Sequence, residues 1–269
     1  MDTRPIGIFD SGLGGLTTVR ALVQAAPWES FVYLGDTANA PYGDRSREQL
    51  RALSERNVRF LRSQDVKALL VACNTSTANA MDSIRAGCPG IPVVGVIAPA
   101  AEAAVAATGT GRIGVLATAA TAASGAYERA VERLAPRARV TTQPCPRLVP
   151  LVEAGRTDPD DPALREAVAE YTAPLLGAGT DTVILGCTHY PIIIRAIRAA
   201  LGPDAALIDS GAACVGTLLR VLEERDALGD RTKTGRRQFV CTGGGERFAA
   251  LGGAFLGWPM EQLRDRVEL

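Results

Sequence analysis

A single histidine, His189, stands in 269 residues, and no two of the six cysteines (Cys73, Cys88, Cys145, Cys187, Cys214 and Cys241) form a Cys-x-x-Cys pair. A zinc centre built from those ligands therefore has no support. Net charge is missing too: 29 basic residues balance 29 acidic ones, so no field draws nucleic acid or an anionic membrane surface. A small-molecule partner fits such a chain better. No apolar stretch reaches the roughly 18 residues that span a bilayer, and Met1-Asp2-Thr3-Arg4-Pro5 meets the first apolar strand without a basic leader or cleavage site. The expected location is the cytoplasm, where cysteines stay reduced. Lysine is nearly absent, with only Lys67 and Lys233, and we read that skew as genome composition without mechanistic weight.

What the chain does have is apolar content, 47%, enough over this length for one large or two smaller α/β domains. Strand patterns are predicted at residues 6–9, 31–34, 68–71, 93–96, 113–116, 140–142, 182–185, 206–208 and 238–242. Helix patterns fall between them at 14–25, 47–63, 76–86, 98–106, 123–134, 162–176, 191–201 and 212–224. Such alternation is the signature of parallel βαβ units. Ile6-Gly7-Ile8-Phe9-Asp10 is echoed by Ile113-Gly114-Val115-Leu116-Ala117, and from Ala206 the chain is expected to return to its first half, because Ile208-Asp209-Ser210-Gly211 echoes Phe9-Asp10-Ser11-Gly12. The expected fold is α/β: two similar doubly wound domains with mainly parallel sheets and the active site in the cleft between them. Residues 1–96 with 209–269 form the first, carrying Asp10 and Cys73; residues 97–208 form the second, carrying Cys187 and His189.

Two cysteines stand apart. Val71-Ala72-Cys73-Asn74-Thr75 and Leu185-Gly186-Cys187-Thr188-His189 each end an apolar run with a thiol and a small polar turn before a helix, at matching places in the two halves. Open α/β sheets bind ligands at the carboxyl ends of their strands. Two such ends facing each other would put one thiol on either wall of a cleft. The remaining four cysteines read as small core residues. Asp10-Ser11-Gly12-Leu13-Gly14-Gly15 opens a helix, and its amides suit a carboxylate better than a pyrophosphate, since Thr17 stands where the dinucleotide pattern needs its last glycine. The bland reading is a tight turn capped by Asp10. Asn39-Ala40-Pro41-Tyr42-Gly43 is a turn by composition. Thr118, Thr121 and Ser124 offer hydroxyls at a helix start, where at least one is expected to cap.

Cys187 with His189 could equip a thiol hydrolase, but that leaves Cys73 without a task. The chemistry that uses both thiols removes a proton from the α-carbon of an amino acid and returns one to the opposite face. One thiolate and one thiol then flank a planar carbanion, and no redox cofactor takes part. A free thiol of pKa about 8.5 is roughly 3% ionised at pH 7, so each unit of depression takes about 1.4 kcal/mol of local interaction. Helix N-termini behind the two thiols supply part of it, with Asp10 and His189 as proton-handling neighbours. An amino-acid sensor in the same cleft would not need thiols on both walls.

Five motifs in order, Phe9-Asp10-Ser11-Gly12-Leu13-Gly14-Gly15, Gly35-Asp36-Thr37-Ala38-Asn39-Ala40-Pro41-Tyr42-Gly43, Ala72-Cys73-Asn74-Thr75, Leu148-Val149-Pro150-Leu151-Val152-Glu153 and Gly186-Cys187-Thr188-His189-Tyr190-Pro191, resemble those of the glutamate racemases. The resemblance runs from Ile6 to about Trp258. It implies an isomerase without cofactor or metal that interconverts L- and D-glutamate for peptidoglycan, and a homodimer. It further implies that Cys73 exchanges a proton with the D-enantiomer, assisted by Asp10, and Cys187 with the L-enantiomer, assisted by His189 and Glu153. Substrate contacts would come from Asp10, Ser11, Pro41, Tyr42, Gly43, Asn74, Thr75, Thr188 and His189, with Thr118 and Thr121 near the carboxylates. Ala117, where a glycine is common, and Gly244, where an acidic residue is common, depart from the pattern.

Overall fold

Short apolar runs such as Ala68-Leu69-Leu70-Val71 are buried along their whole length, because a parallel strand is covered by helices on both faces. In the computed structural model, which describes residues 1–260 and 262–269, ten strands and eleven α-helices are found among the described residues. The first half runs β1 (Ile6–Asp10), α1 (Leu16–Ala25), β2 (Phe31–Gly35), α2 (Arg47–Ser63), β3 (Ala68–Val71), α3 (Asn74–Ala86), β4 (Val93–Gly95) and α4 (Ile97–Ala107). The second runs β5 (Arg112–Ala117), α5 (Ala119–Ala123), α6 (Ala126–Leu134), β6 (Arg139–Pro144), α7 (Leu148–Glu153), α8 (Pro162–Gly177), β7 (Thr182–Gly186), α9 (Ile194–Leu201) and β8 (Ala206–Asp209). The chain closes with α10 (Ser210–Glu224), β9 (Arg237–Cys241), α11 (Gly245–Leu256) and β10 (Leu263–Arg264).

The strands form two parallel sheets, ordered β10-β9-β2-β1-β3-β4 and β6-β5-β7-β8. The run β2-β1-β3-β4 has the same connectivity as β6-β5-β7-β8, so the internal echo between Ile6 and Ile113 marks two topologically equivalent central strands. Cys73 follows β3 and Cys187 follows β7, the equivalent strands of the two sheets. One apolar cluster extends through both halves, from Leu16 and Tyr33 to Val115 and Leu185, and a second fills the other face of the first sheet around Phe9, Leu34, Val71 and Val240.

Three expectations need correction. The segment from Ala206 does not yet return to the first half: β8 pairs with β7 through Val183↔Leu207 and Ile184↔Ile208. The return begins with α10, which packs on α1 of the first half and also on α4, a helix that covers β7 and β8 of the second sheet. The helix expected over 123–134 begins only at Ala126, and a separate short helix, α5, precedes it over Ala119–Ala123, because Gly125 turns with φ +62°, a left-handed conformation that favours glycine. Helix α3 starts at Asn74 rather than 76, which makes Cys73 itself the N-cap, its Sγ accepting from the Ser76 amide at 3.4 Å.

Candidate active site

Strand ends set the site. β1 ends in Asp10, β3 runs into Cys73, β5 into Thr118, β6 into Cys145 and β7 into Cys187, and all five residues line one cavity of about 510 Å³, a volume suited to a small ligand. Ser11, Pro41, Tyr42, Gly43, Asn74, Thr75, Glu153, Thr188 and His189 line it as well. Thr121 does not reach the cavity. It stands behind the wall, bonded to Thr75 Oγ1 at 3.3 Å and to Thr118 Oγ1 at 3.0 Å. Thr118 caps α5 by accepting from the Thr121 amide at 3.4 Å, the capping role expected of one of these hydroxyls.

The two thiols have different surroundings. Cys73 is pushed up to about 12, first by burial and then by the negative charge of Asp10, which holds it as a thiol. Asp10 is fully buried, and its Oδ2 accepts from the amides of Gly12 (3.2 Å) and Gly15 (2.9 Å). The glycine-rich loop thus spends these two amides on its own carboxylate rather than on an outside anion. On the other side, His189 Nδ1 lies 3.8 Å from Cys187 Sγ and Nε2 lies 3.1 Å from Glu153 Oε1. Burial would lower the pKa of His189, but the bonds to Cys187 and Glu153 outweigh it and raise the ring to about 10. The same bond pulls Glu153 below its ordinary value. The result is an imidazolium held between the Glu153 carboxylate and the sulfur of Cys187.

That pairing has a measurable consequence. Because His189 binds its proton more tightly in the folded chain, the stability it adds is present in full below its unfolded pKa of about 6.5 and is lost as pH rises through about 10. Urea melts of the wild type and His189→Gln should differ most below pH ~6.5 and converge towards pH 10. A gap that stays constant over this range contradicts the assignment.

The halves touch directly at the site. Thr17 Oγ1 on α1 donates to the Thr188 carbonyl at 3.1 Å. A methyl group on Gly14 would stand 2.5 Å from His189 Nδ1 and closer still to Thr188 Oγ1, so only glycine lets these segments meet. Gly14→Ala is expected to fold but to lose activity by about 10²-fold, the usual consequence of displacing reacting groups by about 1 Å. Wild-type turnover by this variant would show that the contact is dispensable.

Several residues here escaped the sequence reading. Cys145, taken for an ordinary core thiol, is buried but on the cavity wall, and burial pushes it up to about 12. Its position at the end of β6, as Cys187 is at the end of β7, was the available signal. Asp36, at the end of β2, accepts from Tyr42 Oη (2.5 Å), Asn39 Nδ2 (2.9 Å) and Thr242 Oγ1 (2.8 Å), which fixes the loop carrying Tyr42 and Gly43. Arg247, exposed on α11, joins the cavity rim. Gly244, at the position of the missing acidic residue, starts α11 in a left-handed conformation without a side-chain cap.

Two sheets that share a four-strand connectivity and each deliver a thiol to one shared cavity define an α/β protein equipped for acid–base work on a small ligand. Residues 6–218 match the Asp/Glu/hydantoin racemase family, and the chain belongs to it. It is similar to the glutamate racemase of Streptococcus equi subsp. equi, 44% identical over 257 residues covering 95% of this chain and 96% of the relative. Among solved structures, a glutamate racemase isoform from Bacillus anthracis superposes with TM-score 0.94 at 34% identity, covering 100% of this chain and 99% of that one. The glutamate racemase of Francisella tularensis, solved in complex with D-glutamate, has TM-score 0.91 at 34% identity, with 98% of each chain covered. The resemblance read from the motifs holds, and so does the expected two-domain fold. No helix among the described residues is long and apolar enough to cross a membrane.

Proposed function

We propose that this chain is a glutamate racemase, an isomerase that needs no pyridoxal phosphate and interconverts L- and D-glutamate by proton transfer between two thiols and the α-carbon. The D-isomer then serves peptidoglycan synthesis. One observation carries the reading: Cys73 and Cys187, the equivalent strand-end residues of two sheets, line the same cavity. From L-glutamate, the Cys187 thiolate takes the α-proton and the electron pair of the C–H bond passes into a planar carbanion conjugated with the carboxylate. Cys73, kept protonated by burial and Asp10, gives its proton to the opposite face. The reverse run starts from D-glutamate at Cys73. His189, held by Glu153, offsets negative charge on the Cys187 side, and Asp10 serves the Cys73 side. Hydroxyls of Thr75 and Thr118, 3.0 Å apart and backed by Thr121, suit a substrate carboxylate. Ser11, Pro41, Tyr42, Gly43, Asn74 and Thr188 complete the contacts. In this reading the domains are residues 1–96 with 209–269 and residues 97–208, and the enzyme works in the cytoplasm as a homodimer.

The test uses the purified chain without pyridoxal phosphate. Either enantiomer of glutamate should be converted to the racemate, with solvent deuterium entering at the α-carbon. Aspartate, one methylene shorter, should be turned over about 10–200-fold less well, the discrimination a pocket draws from one such group. Preference for aspartate, or tight binding without deuterium entry, refutes the proposal.

A further inference from the structure

A buried polar chain connects the two thiol-bearing segments. Tyr127 on α6 donates its hydroxyl to Asn74 Oδ1 at 2.6 Å. Asn74, the residue after Cys73, donates Nδ2 to Ser210 Oγ at 3.3 Å. Ser210, the first residue of α10, donates in turn to the Leu185 carbonyl at 2.9 Å, two residues before Cys187. No member of the chain is more than 3% exposed. Its three side chains come from three separate elements, and it runs from the segment behind one thiol, in the first sheet, to the strand that ends in the other, in the second.

We infer that Tyr127 and Ser210 are positioning residues that set the separation of Cys73 and Cys187 by holding Asn74 between the two sheets. The inference rests on the racemase reading and deepens it. Two acid/base groups must reach one carbon from opposite faces, each within hydrogen-bond reach of the proton it handles. A site split between two sheets has no covalent means of fixing that distance. Hydrogen bonds that all run in one direction, Tyr127 to Asn74 to Ser210 to Leu185, strengthen one another in a dry interior and fix orientation as well as distance. Apolar side chains could fill the same space, but they would leave the Cys73 segment free to slide against β7.

The test compares wild type with Tyr127→Phe and Ser210→Ala, each missing one oxygen, in heavy water with each glutamate enantiomer. Inversion in the variants is expected to fall by about 10²-fold, with KM within about threefold of wild type. One thiol still removes and returns a proton on its own face, so deuterium should accumulate in the unconverted starting enantiomer, and the ratio of exchange to inversion should rise by at least about tenfold. A general loosening of the fold would lower exchange and inversion together and leave that ratio unmoved. An unmoved ratio in Ser210→Ala, the milder deletion, overturns the inference whatever Tyr127→Phe does. A wild-type chain that neither inverts nor exchanges glutamate instead sinks the racemase reading itself.

Discussion

Cys73→Ala is expected to lower racemisation by about 10²–10⁴-fold, the range supplied by a positioned general acid or base, while the fold persists. Cys187→Ala should match it in size and differ in direction. With Cys73 gone, Cys187 still faces L-glutamate, so solvent deuterium should enter that enantiomer and not D-glutamate. With Cys187 gone the preference should reverse. Both side chains are small and nearly buried, at 4% and 6% exposed, so removing the one sulfur atom leaves a small void and costs about 1 kcal/mol of packing. Loss of activity therefore reports chemistry rather than unfolding. Each variant also loses one contact of its sulfur, the Ser76 amide at Cys73 and the His189 ring at Cys187, so both should melt slightly below wild type. Full turnover by either variant, or exchange of the same enantiomer by both, refutes the two-thiol assignment.

Much of this arrangement was legible because parallel strands announce themselves. Thr182-Val183-Ile184-Leu185 and Ala68-Leu69-Leu70-Val71 are continuous apolar runs that need no partner to be recognised, and each stops at a thiol. The capping box that starts α2, Ser46 with Gln49, is equally local, and that helix was placed to the residue. Elements whose stability lies in distant contacts were missed. Helix α11 contains Gly245, Gly252 and Gly253, poor helix formers by propensity; it holds because Gly252 admits Leu16 and Met260 against the backbone, contacts no local pattern displays. Helix α7 spans only six residues and includes Pro150. Strand β10, two residues long, has no period to read. The site divides in the same way. Asp10, Cys73, Cys187 and His189 sit at strand ends and were found from sequence, whereas Asp36 and Cys145, at the ends of β2 and β6, acquire meaning only when the sheet edges come together. The chain Tyr127–Asn74–Ser210 joins residues 53 and 136 positions apart, a separation that sequence spacing cannot convey.

Lysine scarcity, which looked like composition alone, hides one residue of structural weight. Lys67 Nζ lies 2.6 Å from Glu29 Oε2, with both side chains essentially buried. It also donates to the carbonyls of Asp2 (2.9 Å) and Ala227 (2.8 Å), while Glu29 Oε1 accepts from the Gly229 amide at 2.6 Å. Four segments are tied at this point: the N-terminus, the entries to β2 and β3, and the connection from α10 to β9 by which the chain rejoins the first sheet. Substituting Lys67→Met strands a buried carboxylate and should destabilise the fold by about 3–5 kcal/mol, which lowers Tm by about 6–20 °C in a chain of this size. Adding Glu29→Gln removes the uncompensated charge and keeps an acceptor for Gly229, so the double variant should be more stable than Lys67→Met alone, a non-additivity that isolates the ion pair. The knot lies at the amino ends of the strands, away from the thiols at their carboxyl ends, so kcat at 25 °C should remain near wild type while Tm falls. A double variant no more stable than Lys67→Met would mean that the backbone carbonyls of Asp2 and Ala227, rather than Glu29, are the partners whose loss matters.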